Sequence, residues 1–167
     1  GLIVTPAHPS VLVRVQEEPF DSAALAAELS AGRTDIGAMV TFTGLCRDEN
    51  GALAVLELEH YPGMAEEEIG RLATEAASRW SLIGVAVVHR FGPIRPGEMI
   101  VAVVTASVHR QAAFEAASFL MDYLKTSAPF WKKEHRADGG DAWVEARATD
   151  EKAMDRWRAS GQVLPHK

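Results

Sequence analysis

Only one cysteine, Cys46, stands in the 167 residues. A lone thiol forms no intrachain disulfide and cannot build a paired CxxC zinc site, so a reducing, cytoplasmic setting is expected and a multi-cysteine metal centre is not. Positive charge is also in short supply, since 17 Lys and Arg stand against 23 Asp and Glu for a formal net charge of -6. Such a chain has no general attraction for nucleic acid or an anionic membrane surface, and any anion site must be a local concentration of cations. No segment approaches the ~20 apolar residues of a membrane span, and residues 1–9 carry neither a basic n-region nor a long apolar run, so neither insertion nor export is expected. HExxH, GxSxG and Walker-type patterns are missing, which leaves metal, triad and nucleotide-loop mechanisms without support and no cofactor expected.

What is present is an apolar content of 47% with 24% charged residues, enough for one ordinary soluble core. Asp21 or Ser22 can cap a first helix reaching about Ser30 and ended by Gly32, and residues 36–42 then read as a β-rich strand. A polar loop containing Cys46, Arg47 and the turn signal Asn50-Gly51 leads to an alternating strand over residues 53–59, a pattern that reads as a hairpin. After Pro62-Gly63, the residues Ala65, Ile69, Leu72, Ala73, Ala76 and Trp80 recur at helical spacing behind the acidic first turn of Glu66, Glu67 and Glu68. Strands near residues 85–90 and 99–106 flank a Gly-Pro-rich turn at 92–97. Ser107 can cap a further helix with the apolar face Ala113, Phe114, Ala117, Leu120, Met121 and Leu124, which has Lys125 at its end and stops before Pro129. A short strand around residues 143–146 and a last helix over about 149–158 complete an α+β domain with a mixed or antiparallel sheet, placed at residues 13–158 between flexible segments at 1–12 and 159–167.

Basic residues gather at loops and element ends: Arg47, His109, Arg110, Lys125, Lys132, Lys133 and Arg147. They read either as solvated surface charge or as an anion site. His109-Arg110, at a strand-to-helix junction, combines two cationic side chains with free helix amides, a geometry suited to phosphate; the alternative is that His109 caps the helix and Arg110 is solvated. Between Lys125 and Lys132 lie Pro129, Phe130 and Trp131, so an apolar wall stands beside ammonium groups. Partial desolvation there turns a lysine into a possible base or nucleophile, while its charged form stabilises a leaving phosphate. Phe130 and Trp131 can equally be core or interface anchors. Cys46, whose adjacent cation is Arg47, reads as incidental rather than nucleophilic.

Several motifs follow one another in order along the chain. They are Val40-Thr41-Phe42-Thr43-Gly44 with Arg47, Leu58-Glu59-His60-Tyr61-Pro62-Gly63-Met64, Val88-His89-Arg90 with Gly92 and Pro96-Gly97-Glu98, and His109-Arg110 with Ala113-Phe114-Glu115-Ala116. The run from Met121 to Trp131 and Trp143-Val144-Glu145-Ala146-Arg147 complete the series, which spans about Val13 to Trp157 and, in this order, resembles the molybdopterin synthase large-subunit family. The resemblance implies an α/β-hammerhead fold, a homodimer, and a small ubiquitin-like sulfur carrier bound to each copy to give a heterotetramer. The carrier's C-terminal Gly-Gly thiocarboxylate would convert cyclic pyranopterin monophosphate to molybdopterin in two rounds. By the same resemblance Lys125 and Lys132 match catalytic lysines, Arg47, His109 and Arg110 match substrate-anion contacts, and Lys133 and Glu134 continue the pocket segment. Phe42 and Met121 match its apolar lining, and Arg147 matches a residue that reaches the pocket across the dimer. Two rival readings are a Schiff-base enzyme built on Lys125 and a non-catalytic phospholigand-binding or scaffold module of the same fold.

Overall fold

The computed structural model describes residues 9–144 and 155–158. Eleven elements follow in chain order: β1 (Ser10–Gln16), α1 (Ser22–Ser30), β2 (Ala38–Leu45), β3 (Leu53–His60), α2 (Met64–Arg79), β4 (Gly84–Arg90), β5 (Gly92–Ile94), β6 (Met99–Ser107), α3 (Arg110–Thr126), β7 (Phe130–Arg136) and β8 (Asp141–Val144). They form two four-stranded sheets, one ordered β1-β4-β6-β2 and the other β5-β3-β7-β8. This is the α+β class expected from the sequence.

The first sheet is buried on both faces, which explains why β4 and β6 read as nearly unbroken apolar runs. Val85 and Val87 of β4 join Val103 of β6, Ile69 and Leu72 of α2, and Phe119 and Leu120 of α3 in one cluster. The alternate residues Ala86, Val88, Ala102 and Val104 meet Leu25 and Leu29 of α1 on the other side. A period of two thus sends each strand into both layers. Truncating Phe119, which is fully buried, to alanine is expected to cost about 3–5 kcal/mol. A helical stretch at 155–158 docks through Trp157, whose indole N–H donates to Asp122 and whose ring meets Trp80 and Phe119 edge-on.

Local chemistry explains the helix starts. The Asp21 carboxylate accepts the Ala23 N–H at 2.9 Å and caps α1 as expected, and Gly32 follows the helix at φ +70. Gly63 precedes α2 at φ +88, a backbone conformation that favours glycine, and its N–H donates to Glu66 at 2.9 Å. The start of α3 differs from expectation: His109, not Ser107, occupies the N-cap position and makes no side-chain cap bond, because the Ser107 hydroxyl is spent on the His109 carbonyl.

Other departures concern strands. β2 and β3 are not a hairpin; β2 pairs with β6 in the first sheet and β3 with β5 and β7 in the second. Two strands in sequence with a turn signal between them satisfy a hairpin pattern equally well when the connection crosses from one sheet to another. β1 was not expected, and Ser10 to Leu12, placed by the sequence in a flexible segment, pair in parallel with residues 84–86. Val13 and Val15 of β1 pack on the main cluster, whereas Arg14 on the other face pairs with Glu28 of α1 at 2.7 Å. β5 lies inside the expected 92–97 turn, and the lysine-bearing segment after Pro129 is strand β7 rather than loop. The expected last strand covers residues 141–144, and residues 145–146, most of the last helix and Arg147 fall outside the described residues.

On the outer face of the second sheet His135 lies between two carboxylates, with Nδ1 2.8 Å from Asp141 and Nε2 3.3 Å from Glu57. The Asp141 hydrogen bond, aided by Glu57, raises the pKa of His135 above the ordinary histidine value. A raised folded-state value means that the clasp stabilises the fold fully below the unfolded pKa and is lost as pH rises through the folded one. The thermal midpoint gap between wild type and His135→Gln is therefore expected to be widest near pH ~6 and to shrink towards pH ~9. Calorimetry at the two values checks it, and an unchanging gap would remove the clasp from the account.

Candidate active site

The inner face of the second sheet and the end of α3 enclose an open cavity of about 420 Å³. Its wall draws on four places: Leu45, Cys46, Arg47 and Glu49 at and after the end of β2, Leu53 and Leu56 on β3, Lys125, Thr126 and Ala128 around the end of α3, and Phe130, Lys132, Glu134 and Arg136 on β7. The pleat of β7 explains the selection. Residues 130, 132, 134 and 136 share one face by the period of two, and Trp131, Lys133 and His135 share the other. Lys132 and Lys133 are therefore split: the first lines the cavity, while the second lies over the Trp143 ring with Nζ 5.5 Å from its centroid.

Four cations, Arg47, Lys125, Lys132 and Arg136, face two carboxylates, Glu49 and Glu134, in a chain that is acidic overall. Arg47 is 71% exposed and pairs with Glu49 at 2.7 Å. An ion pair in water at that exposure holds weakly, so a ligand anion can take the guanidinium over at little cost. Lys125 and Lys132 are both exposed in the single chain. The desolvated lysine expected from the sequence thus requires something to cover the cavity.

Behind the lysine strand lies a ring stack. His89 is buried, and its ring stacks on Phe130 at a centroid distance of 3.9 Å and an angle of 11°. His60 adjoins the stack, 5.9 Å from Phe130 and 4.2 Å from Phe91. Burial lowers the His89 pKa to about 4, with the charges of Lys132 and His60 adding to the effect and the 2.8 Å bond to the Arg90 carbonyl opposing it. His89 is thus a neutral ring at physiological pH that packs Phe130 without adding a charge beside Lys132.

Cys46 is 3% exposed and packs with Leu56, Leu58 and Ile94. Burial, followed by the carboxylates of Glu98, Asp48 and Glu134, pushes its thiol up, away from the thiolate that a nucleophile needs. Iodoacetamide is expected to label the folded chain slowly and the unfolded chain readily; rapid labelling of the folded chain would contradict this environment.

Of the residues singled out from the sequence, the fold brings Arg47, Lys125, Lys132 and Glu134 together. It does not bring Phe42, Met121, Lys133, His109 or Arg110 into that wall, and Arg147 lies outside the described residues. Met121 packs partly against the main cluster, and Phe42 sits exposed on the edge strand β2. His109 and Arg110 are exposed at the opposite end of α3, and at a rise of ~1.5 Å per residue the backbone of Arg110 lies ~22 Å from that of Lys125. Arg136 and Glu49 were missed. Arg136 follows Lys132 at i+4 on one strand face, a signal visible once residues 130–136 are read as a strand.

An α+β domain with a cavity of this size, lined by four cations against two carboxylates, has the shape and charge to accept a small anionic molecule. The chain belongs to the MoaE protein family, whose sequence model matches residues 15–127. It is 66% identical over 151 residues to the molybdopterin synthase catalytic subunit of Mesorhizobium japonicum, covering 90% of this chain and 95% of that one. Among solved structures, the molybdopterin biosynthesis MoaE protein of Burkholderia ambifaria superposes with a TM-score of 0.77 at 48% identity, covering 89% of this chain and 98% of that one. A complex of subunits 1 and 2 of the molybdopterin-converting factor of Helicobacter pylori shares the fold, with a TM-score of 0.68 at 19% identity over 81% of this chain and 91% of that one. Among the described residues no helix is long and apolar enough to cross a membrane.

Proposed function

We propose that this chain is the catalytic subunit of a molybdopterin synthase, a sulfurtransferase that converts cyclic pyranopterin monophosphate to molybdopterin with sulfur from the C-terminal thiocarboxylate of a small carrier subunit. The observation that carries the reading is the cavity in which Arg47, Lys125, Lys132 and Arg136 converge in a member of this family. An anionic cyclic phosphate and an anionic thiocarboxylate must lie side by side during transfer, and a cluster of cations offsets their mutual repulsion. Arg47 and Arg136, at the loop and the strand end, hold phosphate oxygens. Lys125 and Lys132 flank the reacting atoms.

In each round the thiocarboxylate sulfur bonds to a substrate carbon as an oxygen leaves that carbon, the ester phosphate oxygen in one round and water in the other; water then cleaves the carrier's acyl–sulfur bond, leaving sulfur on the pterin and a carboxylate on the carrier. Opening of the cyclic ester releases a phosphate oxygen that needs a proton, and Lys125 donates it. The carrier's C-terminal tail covers the cavity and partly desolvates the lysines.

A second copy of this chain supplies the remaining cations. His109 and Arg110 match the resemblance yet stand ~22 Å from Lys125, a gap that no side chain spans within one chain. Val108 and Phe114 beside them are 54% and 61% exposed, and Arg110, Phe114, Met121 and Lys125 fall on one stripe of α3 by helical spacing. A twofold axis near the middle of that stripe covers the apolar residues and carries His109 and Arg110 of each protomer towards the other's cavity.

The test is incubation of the purified chain with a thiocarboxylated carrier and cyclic pyranopterin monophosphate. Molybdopterin is expected with that carrier and not with one ending in an ordinary carboxylate. No product from folded protein and a cognate carrier would contradict the assignment.

A further inference from the structure

Arg90 is 5% exposed at the end of β4, and nothing in the proposed chemistry uses it. Its Nε donates to the Glu17 carbonyl at 2.9 Å, while Nη1 is buried with no hydrogen-bond partner among the described residues and faces the Glu98 carboxylate at 3.7 Å. A buried guanidinium is retained at a cost, and its counter-charge here belongs to a residue with two further contacts. The other Glu98 carboxylate oxygen accepts the Arg95 N–H at 2.6 Å and closes the 95–98 turn. The Glu98 carbonyl accepts the Cys46 N–H at 2.8 Å, and the Gly97 N–H donates to the Cys46 carbonyl at 2.7 Å.

Those two backbone bonds continue the β2–β6 pairing past the register shift at Gly44/Leu45, and they grip the residue immediately before Arg47. Among the described residues the Arg47 side chain pairs with exposed Glu49. We infer that Arg90 and Glu98 are positioning residues for anion binding: the buried pair fixes the 95–98 turn, the turn clamps Cys46, and the clamp sets where the Arg47 guanidinium meets the substrate phosphate. The inference rests on the proposed function, through the role given to Arg47.

The test is calorimetric binding of cyclic pyranopterin monophosphate to the full chain without carrier, comparing wild type, Arg47→Ala, Glu98→Ala, Glu98→Gln and the double variant Arg47→Ala/Glu98→Ala. Loss of one charge-assisted contact in Arg47→Ala is expected to weaken binding about 10- to 100-fold. Glu98→Ala is expected to lose about 10-fold, and the double variant no more than Arg47→Ala alone, because a misplaced Arg47 and a missing one are the same defect. Glu98→Gln keeps an acceptor for the Arg95 N–H and loses only the charge facing Arg90. Its loss is expected to be smaller, with a thermal transition that confirms folding. Unchanged affinity in both Glu98 variants, or losses that multiply in the double variant, would overturn the positioning role. Failure of Arg47→Ala to weaken binding would overturn it as well. Failure of folded wild type to bind the substrate would instead strike the proposed function from which it derives.

Discussion

Replacing Lys125 by alanine is expected to lower molybdopterin formation by about 10²- to 10⁴-fold, the usual contribution of a positioned proton donor. The same change should move stability by no more than ~0.5 kcal/mol, because Lys125 is exposed in the last turn of α3 and its side chain packs no core. Lys125→Arg separates two explanations of the loss. Arginine keeps the positive charge near the phosphate but does not give up its proton in this pH range, so substrate binding should survive while turnover stays low. Full activity in Lys125→Arg would assign Lys125 to electrostatics alone. Full activity in Lys125→Ala would remove it from the chemistry and favour a phospholigand-binding module.

Mixing two inactive variants is expected to restore activity. If His109 and Arg110 of one protomer complete the cavity of the other, a dimer with one Lys125→Ala chain and one Arg110→Ala chain holds one doubly damaged site and one intact site. Random exchange of subunits then yields about one quarter of wild-type turnover from two preparations that each have almost none. A site contained within one protomer gives no restoration at any ratio. Light scattering on the isolated chain supplies the accompanying mass. A strict monomer would leave Arg110 ~22 Å from the lysine with which it was grouped, and would end the shared-site proposal.

The α2 helix and the pair β4 and β6 were legible in the sequence because their patterns are long and their environments uniform: a helical apolar stripe behind acidic residues, and two strands buried on both faces. The cap at Asp21 was legible for the same local reason. What the sequence did not disclose was partnership between distant segments. Nothing in residues 38–60 tells a hairpin from a crossover, since strand pairing is decided by which edges the rest of the chain leaves open. Residues 130–136 alternate aromatic, cationic and acidic side chains, and charges on both faces hide a strand whose inner face lines a polar cavity rather than a core.

That oversight also blurred the site. The adjacent lysines 132 and 133 were both expected at the site, the first as catalytic and the second as part of the pocket segment, whereas the pleat sends one to the cavity and the other to Trp143. His89 entered the sequence reading as part of the Val88-His89-Arg90 motif; its packing against Phe130 comes from a contact 41 positions along the chain, visible only after folding. The cluster of Arg47, Lys125, Lys132 and Glu134 was legible through the family resemblance, since composition alone reads these residues as solvated charge.

The most direct test of the account follows the sulfur itself. The purified chain is supplied with a carrier whose thiocarboxylate bears a heavy sulfur isotope, together with cyclic pyranopterin monophosphate, and the pterin product is weighed by mass spectrometry. The account predicts molybdopterin with both dithiolene sulfurs heavy from wild type and next to none from Lys125→Ala. Heavy sulfur that never leaves the carrier in the presence of folded wild type, or a product formed equally by both proteins, would contradict it.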